Sequence, residues 1–134
     1  MTRQLVPGAR ASSAAIASTP TGPHENRPSV HVVTRRDDTG RRIDIQVDGE
    51  IDLASVDRLR RALAFATADG AREVVVDLGG VTFLGCAGLN CLAHYARLAD
   101  GNGVGLYTIA NRPACVRPIE LAGLAAAVRL RAAP

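Results

Sequence analysis

The chain has 134 residues, of which 47% are hydrophobic and 3% aromatic, the length of one domain with an aliphatic core of Val, Leu, Ile and Ala rather than of two domains of ordinary size. Its net charge is +3; Arg3, Arg10 and Arg27 against Glu25 place most of that in residues 1–28, so the body is nearly neutral and lacks the basic face that a nucleic-acid backbone demands. No run of about 18 apolar residues is present and Ala11–Ala17 is too weakly hydrophobic for a signal peptide, so the expectations are no membrane span, a cytoplasmic location and three reduced cysteines, Cys86, Cys91 and Cys115.

Residues 1–28 are rich in Ala, Ser, Thr, Pro and Gly without an apolar period and are expected to form a disordered leader, followed by one domain over 29–134. Val30 to Arg36 reads as a first strand, and Asp38-Thr39-Gly40 as a turn. Ile43, Ile45 and Val47 alternate with Asp44, Gln46 and Asp48, the period of a half-buried strand that pairs with the first as a hairpin. Ala54–Ala68 is a predicted helix, because Val56, Leu59, Leu63 and Ala66 share one face, and Asp69-Gly70 is its stop. The unbroken Val74-Val75-Val76 within Glu73–Leu78 suits a strand buried on both sides. Gly79-Gly80 interrupts it before Val81-Thr82-Phe83-Leu84.

A second helix is expected from about Cys86 to Ala99, with Leu89, Leu92 and Ala96 inward and Asp100-Gly101-Asn102-Gly103 as its end. Val104–Ala110 is the next strand, Val116–Ala122 a third helix and Ala127–Leu130 a short last strand. Pro118 falls inside the third helix and removes one of its hydrogen bonds, so that helix is expected to start late, near Arg117, or to kink. The order β-β-α-β-α-β-α-β implies largely parallel pairing. Gly101-Asn102-Gly103-Val104-Gly105 precedes a strand, so it is a turn and not a dinucleotide loop.

Four segments in this order resemble the STAS domain of bacterial anti-sigma factor antagonists: Gly49-Glu50-Ile51-Asp52 with its helix, Val74-Val75-Val76-Asp77-Leu78, Val81 to Leu89, and Pro113-Ala114 leading to Glu120-Leu121-Ala122-Gly123-Leu124. They span roughly residues 29–131. The resemblance implies an α/β fold, a STAS-like mixed and mostly parallel β-sheet with helices packed mainly on one face. It implies a protein that is not an enzyme and carries no cofactor, and that binds an anti-sigma factor of the histidine-kinase-like ATPase type to release a sigma factor. The implied contact surface holds Leu84, Gly85, Cys86, Ala87 and Gly88, with Asp52 and Arg58 beside them; Arg61 is a further candidate for a charge pair. A homodimer through sheets or hairpins stays open. So does a second reading, a STAS scaffold or adaptor in a transporter or lipid-trafficking complex.

The family motif reads Asp-Ser-Ser-Gly-Leu, and its first Ser is the one the partner usually phosphorylates. Here Gly85, Cys86 and Ala87 stand in the first three places, so no phosphorylation is expected there; Thr82, the nearest hydroxyl, lies in the preceding strand. A thiol at a helix start favours thiolate, which oxidises when exposed. Cys86 is therefore a redox candidate, against the plainer alternative of a lost serine. Cys91 is ~8 Å further along the same helix, too far for a bridge, so Cys115, at the start of the third helix, is the better partner. His94 is ~12 Å from Cys86 along one helix, which rejects a catalytic pair. Asp52 belongs to the partner surface or caps the first helix with Ser55 as a rival cap. Asp77 binds a cation or nucleotide, or caps the turn into Gly79-Gly80. No His or Cys spacing matches a zinc site.

Overall fold

The computed structural model of the chain describes residues 30–68 and 70–132; the expected leader and Asp69 lie outside them. Strand β1 (Val30–Arg36) and strand β2 (Arg42–Ile51) form the expected antiparallel hairpin, with Val30 opposite Gly49 and Arg36 opposite Ile43. The Asp37 carboxylate holds the turn by accepting hydrogen bonds from the Thr39 hydroxyl at 2.9 Å and the Arg42 N–H at 3.3 Å. Helix α1 (Val56–Ala68) starts two residues later than its apolar period predicts and buries the expected face of Val56, Leu59, Leu63 and Ala66. Gly70 takes the positive φ of 80° that ends it. Strand β3 (Glu73–Leu84), helix α2 (Cys86–Gly101), strand β4 (Gly105–Ile109), helix α3 (Pro113–Leu121) and strand β5 (Leu130–Arg131) complete the chain.

The five strands lie in the order β1-β2-β3-β4-β5, antiparallel only between β1 and β2. Ile43, Ile45 and Val47 of β2, Val74, Val76 and Leu78 of β3, and Leu106 of β4 point to one side. There they form a single cluster with Leu59 and Leu63 of α1, Leu92 and Ala96 of α2, and Cys115 and Ile119 of α3. Val75 alternates to the other side and stands outside that cluster. The α/β, mostly parallel sheet with helices on one face is thus the fold of this chain.

Three boundaries differ for physical reasons. Gly79-Gly80 does not interrupt β3: the strand runs through it with two extra residues, one between the partners of Gln46 and Asp48 and one between those of Gly49 and Glu50. The Asp77 carboxylate stabilises the first of these bulges by accepting the Gly79 N–H at 2.8 Å, so its role is a local cap inside a strand rather than at a turn. Helix α3 starts earlier than expected, at Pro113, because a proline at the first turn loses no helical bond and its fixed φ suits that position; Pro118 is accommodated inside it. The last strand falls at Leu130–Arg131, after tight turns over residues 125–129.

Candidate functional site

β2 and β3 end side by side, Ile51 opposite Leu84. The chain leaves both strands at the same rim, and there the sequence places Asp52 and the segment 84–88. The Gly85 N–H donates to the Ile51 carbonyl at 2.9 Å, tying the loop back to β2. Gly85 is the N-cap of α2 and offers no side chain to its first turn. Gly88 sits where a Cβ would stand 2.6 Å from Leu84 Cδ1 and 2.7 Å from Ile51 Cγ2, so its missing side chain lets α2 settle directly on the strand ends.

Asp52 and Ser55 act together, which resolves the choice between two caps. The Ser55 N–H donates to the Asp52 carboxylate at 3.0 Å, and the Asp52 N–H donates to the Ser55 hydroxyl at 3.0 Å. The same hydroxyl lies 2.7 Å from the Glu50 carbonyl and donates to it. This reciprocal arrangement closes the 52–55 turn just ahead of α1, whose first N–H, that of Val56, donates to the Asp52 backbone carbonyl at 2.9 Å, and holds that turn beside the 84–88 loop.

The rim therefore brings together Asp52, Leu84, Gly85, Cys86, Ala87 and Gly88. Not all of them face outward. Leu84 is 3% exposed and Gly88 is buried, so these two support the loop from below instead of lining its surface as expected. Cys86 is exposed, and Gly85 and Ala87 are half-buried. Arg58 and Arg61 lie exposed on α1. Two apolar side chains complete the surface: Phe83 is 52% exposed and Leu53 is 84% exposed. Leu53 escaped the sequence reading because it falls between a motif and a helix, outside any period. Its signal was a large aliphatic residue with no inward position to occupy. Leu121, at the end of α3, is exposed to a similar degree and equally outside the apolar pattern.

The other cysteines are placed differently. β4 ends at Ile109, opposite Asp77, so the upper part of β3 has no strand on that edge. Side chains from the start of α3 serve it instead. Arg112 Nε donates to the Gly79 carbonyl at 3.0 Å, and the Cys115 thiol donates to the Val81 carbonyl at 3.5 Å. Cys115 is fully buried, and burial pushes its thiol above the ordinary value, with Arg112 pulling it partly back. Cys91 lies in the core, where burial pushes its thiol up to about 11, opposed by Arg60 and reinforced by Asp57. All three cysteines are free. The pairing of Cys86 with Cys115 is not formed, since the Cys115 sulfur is sealed against β3.

His94 is exposed further along α2 and meets the Tyr95 ring edge-on at 4.8 Å. No group of three or more His, Cys, Asp or Glu among the described residues is arranged to hold a metal, and no helix among them is long and apolar enough to cross a membrane.

This architecture has counterparts in known proteins. The family described as "Mlab, STAS domain" matches residues 34–131. The chain belongs to the STAS domain family. This STAS domain is 35% identical over 103 residues to the anti-sigma-F factor antagonist RsfB of Mycobacterium tuberculosis, covering 77% of this chain and 83% of the relative. It superposes on the crystal structure of an anti-sigma factor antagonist from Mycobacterium paratuberculosis with a TM-score of 0.70 and 33% identity, over 76% of this chain and 85% of that one. The Bacillus cell fate determinant SpoIIAA in its phosphorylated form shares the fold, with a TM-score of 0.62 and 15% identity over 78% of this chain and 92% of that one.

Proposed function

We propose that this STAS domain is an anti-sigma factor antagonist. It binds, in the cytoplasm, an anti-sigma factor of the histidine-kinase-like ATPase type and thereby frees a sigma factor. The observation that carries this reading is the 35% identity to an anti-sigma-F factor antagonist across 77% of the chain. The rim formed by Leu53, Phe83, Gly85, Cys86 and Ala87 supports it: an exposed, partly apolar surface, held by capping bonds and close packing, is a surface for protein contact. A catalytic reading has no such support, because activating the Cys86 thiol as a nucleophile needs a neighbouring base.

Binding is tested by isothermal titration of the full chain against each purified histidine-kinase-like anti-sigma factor of its host, followed by recovery of the sigma factor from a preformed anti-sigma complex. Saturable binding with sigma release is the expected result. Binding to none of them, with transporter subunits captured instead, overturns it in favour of a scaffold.

The complex is proposed to resist the usual phosphate switch, which adds close to two negative charges at a helix start. Cys86 offers a thiol where that switch needs a hydroxyl. Incubation with the anti-sigma factor and ATP is expected to leave the intact mass unchanged, whereas the Cys86→Ser protein gains one phosphate. Phosphate on the parent protein contradicts this.

A further inference from the structure

The rim carries more apolar surface than the loop alone. Phe83 and Leu53 are both exposed, while most large hydrophobic residues among those described are buried. Phe83 stands opposite Glu50 in the parallel register, so ring and carboxylate are neighbours on one side of the sheet. Glu50 is exposed and takes part in no ion pair among the described residues. Asp52 and Leu53 follow it in the chain, and the Asp52 carboxylate is held by Ser55. The rim thus presents two exposed apolar side chains, with the Glu50 carboxylate beside Phe83.

Gly85 governs how the ring lies. A Cβ at this position would be 3.1 Å from Phe83 Cε2, 3.4 Å from Phe83 Cζ and 3.4 Å from the Ile51 carbonyl oxygen. The Phe83 ring therefore rests against the bare backbone of residue 85. Even a methyl group there would press on the ring, because the strand carbonyl on the other flank cannot give way. Whatever stands at 85 thus acts on the position of the most bulky exposed side chain of the rim.

We infer that Phe83 and Leu53 anchor the contact with the anti-sigma factor, and that Gly85 is a specificity determinant acting through the Phe83 ring. This rests on the function proposed above. The matching partner surface is apolar at its centre and carries an Arg or Lys placed to meet Glu50. Aromatic anchors at the centre of a protein contact are the residues that lose most affinity when truncated, and the edging carboxylate contributes mainly to encounter rate and to rejection of acidic surfaces.

The test uses the full chain and the anti-sigma factor identified by titration. Phe83→Ala and Leu53→Ala are expected to weaken binding by about 30-fold or more and about 10-fold, respectively. Both side chains are exposed, so the thermal midpoint stays that of the parent protein and reports that the fold is intact. Gly85→Ala is expected to weaken binding in the parent background and to have no further effect in the Phe83→Ala background, a coupling that a double-mutant cycle measures directly. Glu50→Gln is expected to lower the association rate and flatten its salt dependence. Three outcomes overturn the inference: anti-sigma binding by Phe83→Ala and Leu53→Ala within about twofold of the parent, Gly85→Ala binding like the parent, or a Gly85→Ala effect of equal size with and without the ring. If the parent protein binds no anti-sigma factor, the proposed function falls and this inference falls with it; if the parent binds and the variants are unimpaired, the inference alone falls.

Discussion

The two halves of β3 obey different rules. From Glu73 to Asp77 the strand has a partner on each side, keeps strict alternation and buries Val74 and Val76 against the helices. From Leu78 to Leu84 it loses β4, gains two extra residues, passes two glycines and ends with an exposed Phe83. Regular pairing gives the lower half its rigidity. The upper half stays paired with β2 through its two bulges, while on its other edge side chains, those of Arg112 and Cys115, take the place of a strand, and Asp77 steadies the first bulge. Both halves contribute to the core, the upper one through Leu78, Val81 and Leu84, but only the upper half ends at the proposed contact surface.

The largest effects test the lower half. Ile45, opposite Val76 and fully buried, is expected to cost about 3 kcal/mol when changed to Ala. Phe83→Ala in the upper half is expected to cost under about 0.5 kcal/mol. Urea midpoints of the two variants give the contrast directly, and equal losses would erase it.

Alkaline pH comes next. Cys91 has an ordinary value of 9.0 and is pushed to about 11 in the fold, so the unfolded chain gives up this proton first. Its stabilising effect is complete below pH 9 and is lost between pH 9 and 11, amounting to about 2–3 kcal/mol over the whole window. Cys115, raised by burial, acts with the same sign. The urea midpoint should therefore fall between pH 8 and pH 10.5, and fall less in the Cys91→Ala protein. An equal fall in both would contradict the assignment.

Cys115→Ala probes the side-chain replacement for the missing strand. It removes the donor to the Val81 carbonyl and leaves a small void; a loss of about 1–2 kcal/mol is expected by calorimetric melting. A loss near zero would mean that α3 holds the edge of β3 by packing alone. The smallest effect has the opposite sign. The Thr108 hydroxyl in β4 is fully buried without a hydrogen-bond partner among the described residues. Thr108→Val is expected to stabilise the protein by about 1 kcal/mol, a gain that a lowered melting temperature would refute.

Residue patterns read well where local physics decides. Alternation in Ile43, Ile45 and Val47 marked a strand and its inward face, and the spacing of Val56, Leu59, Leu63 and Ala66 marked a helix and its buried side, since both periods follow from backbone geometry. The segments around Asp52 and Gly88 were recognisable by their resemblance to family motifs, and the structure supplies the physical reason: a turn closed by Asp52 with Ser55 and a close approach at Gly88. The rim was legible only in part. Nothing local announced that Leu84 would be beneath the surface, because exposure depends on which element arrives from elsewhere in the chain; for Leu53 the one local signal was its lack of an inward position.

By itself, then, the sequence determined the element order, the hairpin, the inward faces of α1 and α2, and the STAS character of the segments from Gly49 to Gly123, all of which rest on periodicity, capping chemistry and motif spacing. Only the tertiary structure decided that Gly79-Gly80 continue a strand instead of breaking it, that α3 starts at Pro113, ahead of Pro118 rather than near it, that Cys115 is sealed while Cys86 is open, and that Phe83 lies over Gly85. Each of these depends on partners distant in sequence: the bulged register with β2, the early end of β4, and the meeting of two strand ends at one rim.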